Sequence, residues 1–567
     1  MTRVRTTVLT TTAALAAAVV IFAFWTLPPK ARRLSPPAWT PPPTAVDGAY
    51  HIHTVHSDGS GTIRQVAAAA ARVGLRFAII TDHGGGTRIL PPAYHSGVLC
   101  IDAVEISTTG GHYVALGLAP TPYPLGGEPR DVVADVARLG GFGIVAHPYS
   151  PKRALRWTSW NLPFNGIEWM NADSERRQRT PWQIATALTH YPFRPAETLA
   201  SLFKRPIRSL ARWDSLTEAR RVVGLAGADA HARVGWGGTE EQGGTTLARL
   251  PSYQASFGAF SIHAEIARPL TGDAVEDTRT ILAAIEAGHV YTSIDGLAHP
   301  AAFTFTARSG ANEADEGDDL VLDGPVTLRA RVNDPTATLV LFRNGIPIAR
   351  AGGGTLTFHA PAEPAVFRVE AHLPGEPRPL PVPWIVSNPV YVLTSPRTPL
   401  PPPPPLPVIA SEALPGTGPD RWHTERAPGS TVTVASAAAP GGPAAVQIDF
   451  RLAGGERNGQ YVAAVRPAPS DIAFYDRLAF RAHASRPLRM SMQLRDTSGR
   501  RWLRSVYVGP DSRSIVVPFT DLRPVDPAST PSPDLDHVRS IIFAVDLTNA
   551  HPGASGTIWL SDLRLER

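Results

Sequence analysis

The hydrophobic pattern changes character along the chain. Residues 8–27 form one uncharged apolar run behind Arg3 and Arg5. Such a run can span a bilayer or form the core of a signal peptide. No small-x-small cleavage site follows in Phe24-Trp25-Thr26-Leu27-Pro28, and Trp25 suits a membrane interface, which favours an uncleaved anchor over a removed signal. Lys30, Arg32 and Arg33 lie on the far side, so flanking charge does not decide the orientation. Export of the C-terminal bulk to the periplasmic or extracellular side is the expectation, because a lone N-terminal span on a soluble body is most simply an export device. A Pro-rich linker covers residues 28–47.

From residue 48 to 299, short apolar runs at 50–53, 77–81, 98–106, 112–117, 142–146, 166–170 and 222–228 alternate with helical patterns at 61–74, 130–140 and 179–221. This rhythm predicts an α/β domain with a largely parallel sheet, open or closed into a barrel. Residues 300–395 switch to short alternating strands with an Asn344-Gly345 hairpin signal, which predicts a small β-sandwich. A polyproline linker follows at 396–419, and residues 420–567 read as an all-β jelly roll. Trp422, Trp502 and Tyr507 are placed in its core rather than on a binding surface.

At 567 residues, several domains are expected, and the 57 prolines, about twice the average share, cluster in the linkers. A net charge of +5 with pI near 9.4 is mild for this length and carries no nucleic-acid signature. Cys100 is the one cysteine, so there is no internal disulfide and no cysteine-rich zinc site. Any metal must be held by His, Asp and Glu.

Those residue types sit at telling places. His51-Ile52-His53 offers two imidazoles at i and i+2, one face of an extended strand, with Asp58 on the Ser57-Asp58-Gly59 turn beyond. Alone, this is either half a metal site or two polar strand residues. Yet strand 77–81 runs into Asp82-His83, 98–104 into Glu105, 142–146 into His147-Pro148 and 222–228 into Asp229-Ala230-His231. In parallel α/β folds chemistry collects at the C-terminal ends of strands, and so many ends finishing in His, Asp or Glu point to one multi-metal site.

His51-x-His53, Ser57-Asp58-Gly59, Thr81-Asp82-His83, Glu105, His112, His147-Pro148 and Asp229-Ala230-His231 together resemble the PHP (polymerase and histidinol phosphatase) superfamily, and within it the CehA/McbA-type metallohydrolases, over about residues 48–292. The resemblance implies a distorted (β/α)7 barrel with two or three divalent ions of the Zn, Mn or Fe type. It implies that His51, His53, Glu105 and Asp229 hold one ion, that Glu105, His112 and His147 hold a second with Glu105 bridging, and that Asp58, His83 and His231 hold a third. It places Asp82 as an acceptor that orients a ligand histidine. Glu105, Asp229 and His231 become the catalytic residues, acting around a metal-bridging hydroxide, with Asp229 or His231 passing the proton to the leaving group. Residues 384–391 resemble the end segment of these proteins and are expected to pack back on the barrel. Lys152, Arg153 and Arg233 follow ligand positions closely; they are either contacts for an anionic substrate or solvated surface charge.

The implied function is a membrane-anchored, exported, metal-dependent hydrolase of a small ester, a phosphoesterase first and a carboxylic or carbamic ester hydrolase second. The reading from another class is a non-catalytic surface protein that binds glycan through its C-terminal carbohydrate-binding-like domain. For that domain, sugar binding and plain packing both fit the pattern.

Overall fold

The computed structural model describes residues 2–37, 45–240, 242–375, 382–398, 404–414, 421–439, 442, 444–455, 459–526 and 528–567. Parts of both Pro-rich linkers, at 38–44, 399–403 and 415–420, lie outside the described residues. Strand dominates over helix, in several sheets. The chain divides into two compact units: Met1–Gly84 with Ile89–Ala119 and Val136–Thr398, and Gly85–Arg88 with Pro120–Asp135 and Pro399–Arg567.

In the first unit, the strand Ala45–Ile52 pairs in parallel with Phe77–Ile80, which pairs in parallel with Val98–Asp102. Its other edge meets Ser261–Glu265 antiparallel, and that strand meets Val290–Ser293. A second sheet runs Val223–Gly227, Gly166–Asn171, Phe142–Val145, Gly111–Leu116, Val104–Thr108. Single bridges, Ile52 to Ala230 and His83 to Glu105, join the two sheets. Their inward side chains, Tyr50, Ile79, Ile101, Val114, Ile144, Leu225 and Ile262 among them, form one buried cluster. Runs such as Phe77-Ala78-Ile79-Ile80 are buried at every position, as strands covered on both faces are.

The expected largely parallel sheet is corrected to a mixed one. Val104–Thr108, Gly111–Leu116 and Phe142–Val145 are successively antiparallel. The reason is local. Two residues connect Thr108 to Gly111, and a connection that short can only reverse the chain, since a parallel pair needs a long crossover. Glu105 accordingly lies near the start of a strand of the second sheet and not at the end of one from the first.

Helices cover the sheets. Ile63–Arg72 starts on a capping box between Thr62 and Gln65 and buries its alanine face. Pro181–His190 and Pro195–Leu202 begin with proline in the first turn, where no amide donor is needed. The N-terminal helix spans Thr2–Thr26, and near its end Phe24 packs on Phe193 with centroids 4.8 Å apart. Among the described residues no helix is long and apolar enough to cross a membrane.

Residues 303–393 build the small sandwich around their own core of Phe303, Phe305, Leu328, Leu339, Phe367 and Trp384. Its four-stranded sheet is Asn312–Asp315, Phe303–Ser309, Val326–Val332, Thr355–Ala360. The facing strands continue the first sheet through Ile385–Val386, which pairs with Val290–Ser293.

The second unit holds two six-stranded antiparallel sheets. They close on a core that includes Trp422, Phe480, Met490, Met492, Trp502, Phe543 and Leu560. Within this unit the guanidinium of Arg489, buried on the outer side of Leu488–Asp496, donates to Asp135 at 2.6 and 2.7 Å.

Candidate metal centre

The site grows from a distortion of the strand that carries it. His51 sits at φ +66°, in the left-handed region, and strand pairing slips between Tyr50 and Ile52. The two imidazoles therefore do not meet by plain alternation along an extended strand; a kink at His51 brings their rings to 5.2 Å. His147 (φ +26°) and Asp229 (φ +45°) are held in the same unfavourable half of backbone space. Each such residue costs about 1 kcal/mol or more, and strain of this kind gathers at functional positions.

Glu105 is the hub, buried to 1 % exposure. Its Oε2 lies 3.1 Å from His51 Nε2, 3.2 Å from His53 Nε2 and 3.3 Å from His83 Nδ1. Its Oε1 lies 2.9 Å from His112 Nδ1 and 2.8 Å from His147 Nε2. Asp229 Oδ1 faces His51 Nε2 at 3.7 Å and both His53 Nε2 and His231 Nδ1 at 3.5 Å. Asp58 reaches His53 Nδ1 at 3.5 Å, His83 Nε2 at 3.9 Å and His231 Nε2 at 3.1 Å. All nine candidate ligands thus converge.

The charges balance within the cluster. Burial works against ionised Glu105 and Asp229, but the surrounding imidazoles hold both carboxyls well below the usual range. Asp58, opposed by burial but favoured by His231, His53 and His83, falls to about 2. Burial disfavours the imidazolium of His53, yet Asp229, Glu105 and Asp58 lift it to about 10. His83 goes the other way, to about 4, through burial and the neighbouring His53 and His112.

The donor set fits a divalent transition metal. His53 Nε2, Asp58 Oδ1, His83 Nδ1 and His147 Nδ1 are buried and have no hydrogen-bond partner. Buried polar atoms are rarely left so, and mixed imidazole and carboxylate ligands suit Zn, Mn or Fe. Ligand atoms lie within 4.8 Å of one another in His53–Asp58–His83–His231, His51–His53–Asp229, His51–Glu105–His147 and His83–His112–Glu240.

Two carboxylates escaped the sequence reading. Glu168, fully buried, takes His51 Nδ1 at 2.5 Å and accepts from the His147 amide at 2.7 Å and Asn171 Nδ2 at 2.8 Å. It fixes one imidazole and the strained backbone of another. Its signal was a lone acid inside the apolar Gly166-Ile167-Glu168-Trp169-Met170 strand, a costly place for an idle charge. Glu240 comes from an exposed hairpin and had no signal of its own. Asp82 accepts from the Thr54 amide (2.6 Å), Thr54 Oγ1 (2.5 Å) and Ser57 Oγ (2.6 Å), so it orders the turn before Asp58 and reaches His53 Nδ1 only through Ser57, at 3.4 Å. Lys152 and Arg153 are exposed around the short helix Arg153–Leu155. Arg233 donates to Asp58 O at 3.2 Å. Arg177, which carried no signal in the sequence, pairs with Asp173 and lies in the field of Asp229 and Asp58.

No family model matches the chain. The chain is 31% identical over 137 residues to Uncharacterized protein MJ1587 of Methanocaldococcus jannaschii, a match covering 22% of this chain and 80% of that protein. Among solved structures, a family 11 carbohydrate-binding module of the cellulosomal cellulase Lic26A-Cel5E of Clostridium thermocellum is 16% identical over 28% of this chain and 95% of its own, with a TM-score of 0.24. The carbohydrate-binding module TmCBM27, described for mannan recognition, is 11% identical over 28% of this chain and 96% of its own, with a TM-score of 0.20. Likenesses this slight decide nothing about ligand or activity.

Proposed function

Because the chain belongs to the same family as that archaeal protein, whose name assigns no activity, we propose its function from the site itself: a metal-dependent hydrolase of ester bonds, phosphoric esters first and carboxylic or carbamic esters as the alternative. The observation that carries this reading is the convergence of His51, His53, Asp58, His83, Glu105, His112, His147, Asp229 and His231 with buried ring nitrogens and a carboxylate oxygen left unbonded. The order of these residues along the chain supports a PHP-type site on the two joined sheets.

When bound, two or three divalent ions would supply Lewis acidity and lower the pKa of water. The chain's own part is positional. Glu105 faces five imidazoles at once, and Glu168 holds His51 in one orientation, as outer carboxylates do for ligand histidines. Asp82 and Ser57 hold the turn that presents Asp58. His231, with 21 % of its side chain exposed, is the most open imidazole of the set and the one placed to exchange a proton with a leaving group. Arg177 and Arg233 supply positive charge near Asp58 for an anionic substrate.

Purified protein supplied with Mn or Zn is expected to turn over p-nitrophenyl phosphate, bis-p-nitrophenyl phosphate or a naphthyl carbamate, with His51→Ala inactive and with activity kept on changing His263, which pairs with Asp47 at 2.7 Å outside the cluster, to Ala. Absence of turnover on all three, with metal bound, sinks the hydrolase reading. Export rests on the apolar run 8–27; recovery of the full chain only from a cytosolic fraction would overturn that part.

A second reading applies to the C-terminal sandwich, glycan binding, and one observation favours it. Trp559 is half-buried on the outward face of Ser555–Glu566, its Nε1 held by Gln447 Oε1 at 3.1 Å and its ring 5.0 Å from His483. Trp559, His483, Arg481 and Ser512 line a groove of about 520 Å³. A fixed aromatic plane beside amide, guanidinium and hydroxyl groups suits sugar stacking. Retardation in gels containing barley β-glucan or galactomannan, abolished in Trp559→Ala, is expected; equal mobility with and without polysaccharide removes this reading.

A further inference from the structure

The hairpin Val234–Gly238 and Gly243–Ala248 adds nothing to the core: the side chains along both strands are exposed or half-exposed. It is built for close approach. A Cβ at Gly235 would stand 1.9 Å from Thr245 O, and one at Gly244 1.9 Å from Gly237 O. Its latch to the rest of the unit is at Asp58: the Gly243 amide donates to Ser57 O at 3.0 Å, and Arg233 bridges Asp58 O and Gly237 O at 3.2 and 3.4 Å. Just past its first strand, Glu240 bends back to the cluster. Its Oε2 lies 3.1 Å from Ser107 Oγ and 3.4 Å from His112 Nε2. His112 turns Nδ1 to Glu105, so Nε2 is the nitrogen left for Glu240. His83, His112 and Glu240 bring their ligand atoms within 4.8 Å. A long side chain that is 43 % exposed gains little from water-screened contacts with one hydroxyl and one imidazole; a cation shared with two imidazoles gives it a further reason to be held.

We propose that Glu240 is an additional, displaceable metal ligand that completes a His83–His112–Glu240 seat at the mouth of the cluster, and that an anionic oxygen of substrate or product takes its place. This deepens the hydrolase reading and rests on the cluster being a metal centre. Two imidazoles and one carboxylate form a seat for a divalent transition metal. The carboxylate comes from a hairpin outside the core, so it can leave without moving a buried ligand. The replacing group must compete with a carboxylate for the same ion, which favours a phosphoryl oxygen over a neutral ester oxygen.

The full chain, wild type, Glu240→Gln and Glu240→Ala, is loaded with Zn, freed of excess, and challenged with a chromophoric chelator; inorganic phosphate binding to the loaded proteins is measured by calorimetry. Both variants are expected to surrender one Zn about 10- to 100-fold faster than wild type, with the other ions retained, and to bind phosphate about tenfold more tightly. Glu240 is partly exposed and outside the core, so folding is not at stake. Equal release and equal phosphate affinity in all three proteins overturns the proposal while leaving the metal centre standing. A wild-type chain that retains no Zn overturns the metal centre, and this proposal with it.

Discussion

The first unit contains two buried clusters of charged and titratable groups that solve the same problem differently. In one, Arg368 lies between two acids: Nε and Nη2 donate to Asp214 at 2.6 and 2.9 Å, and Nη1 to Glu370 at 2.7 Å. Arg205 adds two more bonds to Glu370, at 3.1 and 2.6 Å. None of these side-chain atoms is buried without a partner among the described residues. In the other, five imidazoles crowd Glu105 at hydrogen-bond distance, yet His53 Nε2, His83 Nδ1 and His147 Nδ1 make no hydrogen bond. A cluster that ties a helix to a sandwich saturates itself. One that could receive a cation keeps lone pairs uncommitted. Saturation, more than burial or charge, separates the two.

The difference breaks most sharply at Glu105. Glu105→Ala removes the shared carboxylate while Arg368 and its acids stay intact, and should lower ester turnover at least 10⁴-fold, about 5.5 kcal/mol at 1.4 kcal/mol per decade, with loss of bound metal by elemental analysis. Retained metal and turnover within tenfold of wild type would mean that the histidines are merely packed. Arg368→Met tests the other side. Removing the shared cation of a buried ion cluster leaves Asp214 uncompensated, while Glu370 keeps Arg205, and should destabilise by about 3–5 kcal/mol in urea unfolding, with metal content per folded chain unchanged. A loss of metal without a loss of stability would reverse the roles of the two clusters.

Much of this contrast was readable before folding. Candidate metal ligands announce themselves because an imidazole or carboxylate at the end of an apolar strand is chemically out of place, and His83, His147 and Asp229 all stand so. The sheet was less legible, since the two-residue link between Thr108 and Gly111 decides strand direction and is easily lost inside a β-α rhythm. The saturated cluster is invisible in the sequence, because Asp214 lies on a helix and Arg368 and Glu370 on a strand, with Asp214 and Arg368 set 154 positions apart. Glu168 falls between these cases: its strand is legible in the apolar run, but no motif marks the role of its charge.

Glu168 sharpens the metal side at smaller amplitude. Glu168→Gln keeps the shape and the Asn171 contact but weakens the hold on His51. Metal affinity in chelator competition should fall about 10- to 100-fold, the usual cost of losing the carboxylate behind a ligand histidine, with near-UV circular dichroism unchanged. An affinity equal to wild type would make Glu168 a support of the His147 backbone alone.

A third buried group marks where the saturation rule stops. Both carboxyl oxygens of Glu316 are buried without a hydrogen-bond partner, as in the metal cluster, but no imidazole is hydrogen-bonded to them. Burial, with Glu265 and Asp315 nearby, pushes its carboxyl well above the usual range; burial and Asp315 raise Glu265 to about 7. These shifts favour protonated carboxyls. Because the folded-state pKa of Glu265 exceeds its unfolded value, the folded chain holds more protons between about pH 4.5 and 7, and stability falls as pH rises through that window. The drop should be about 1–3 kcal/mol from these groups, since one proton held across one pH unit is worth about 1.4 kcal/mol. Glu316→Gln should flatten the descent in urea midpoints measured from pH 4.5 to 7.5, and added Zn should leave it unchanged. A descent that Zn abolishes would place a second cation at Glu265 and Glu316, and unpartnered oxygens would then mean the same thing in both clusters.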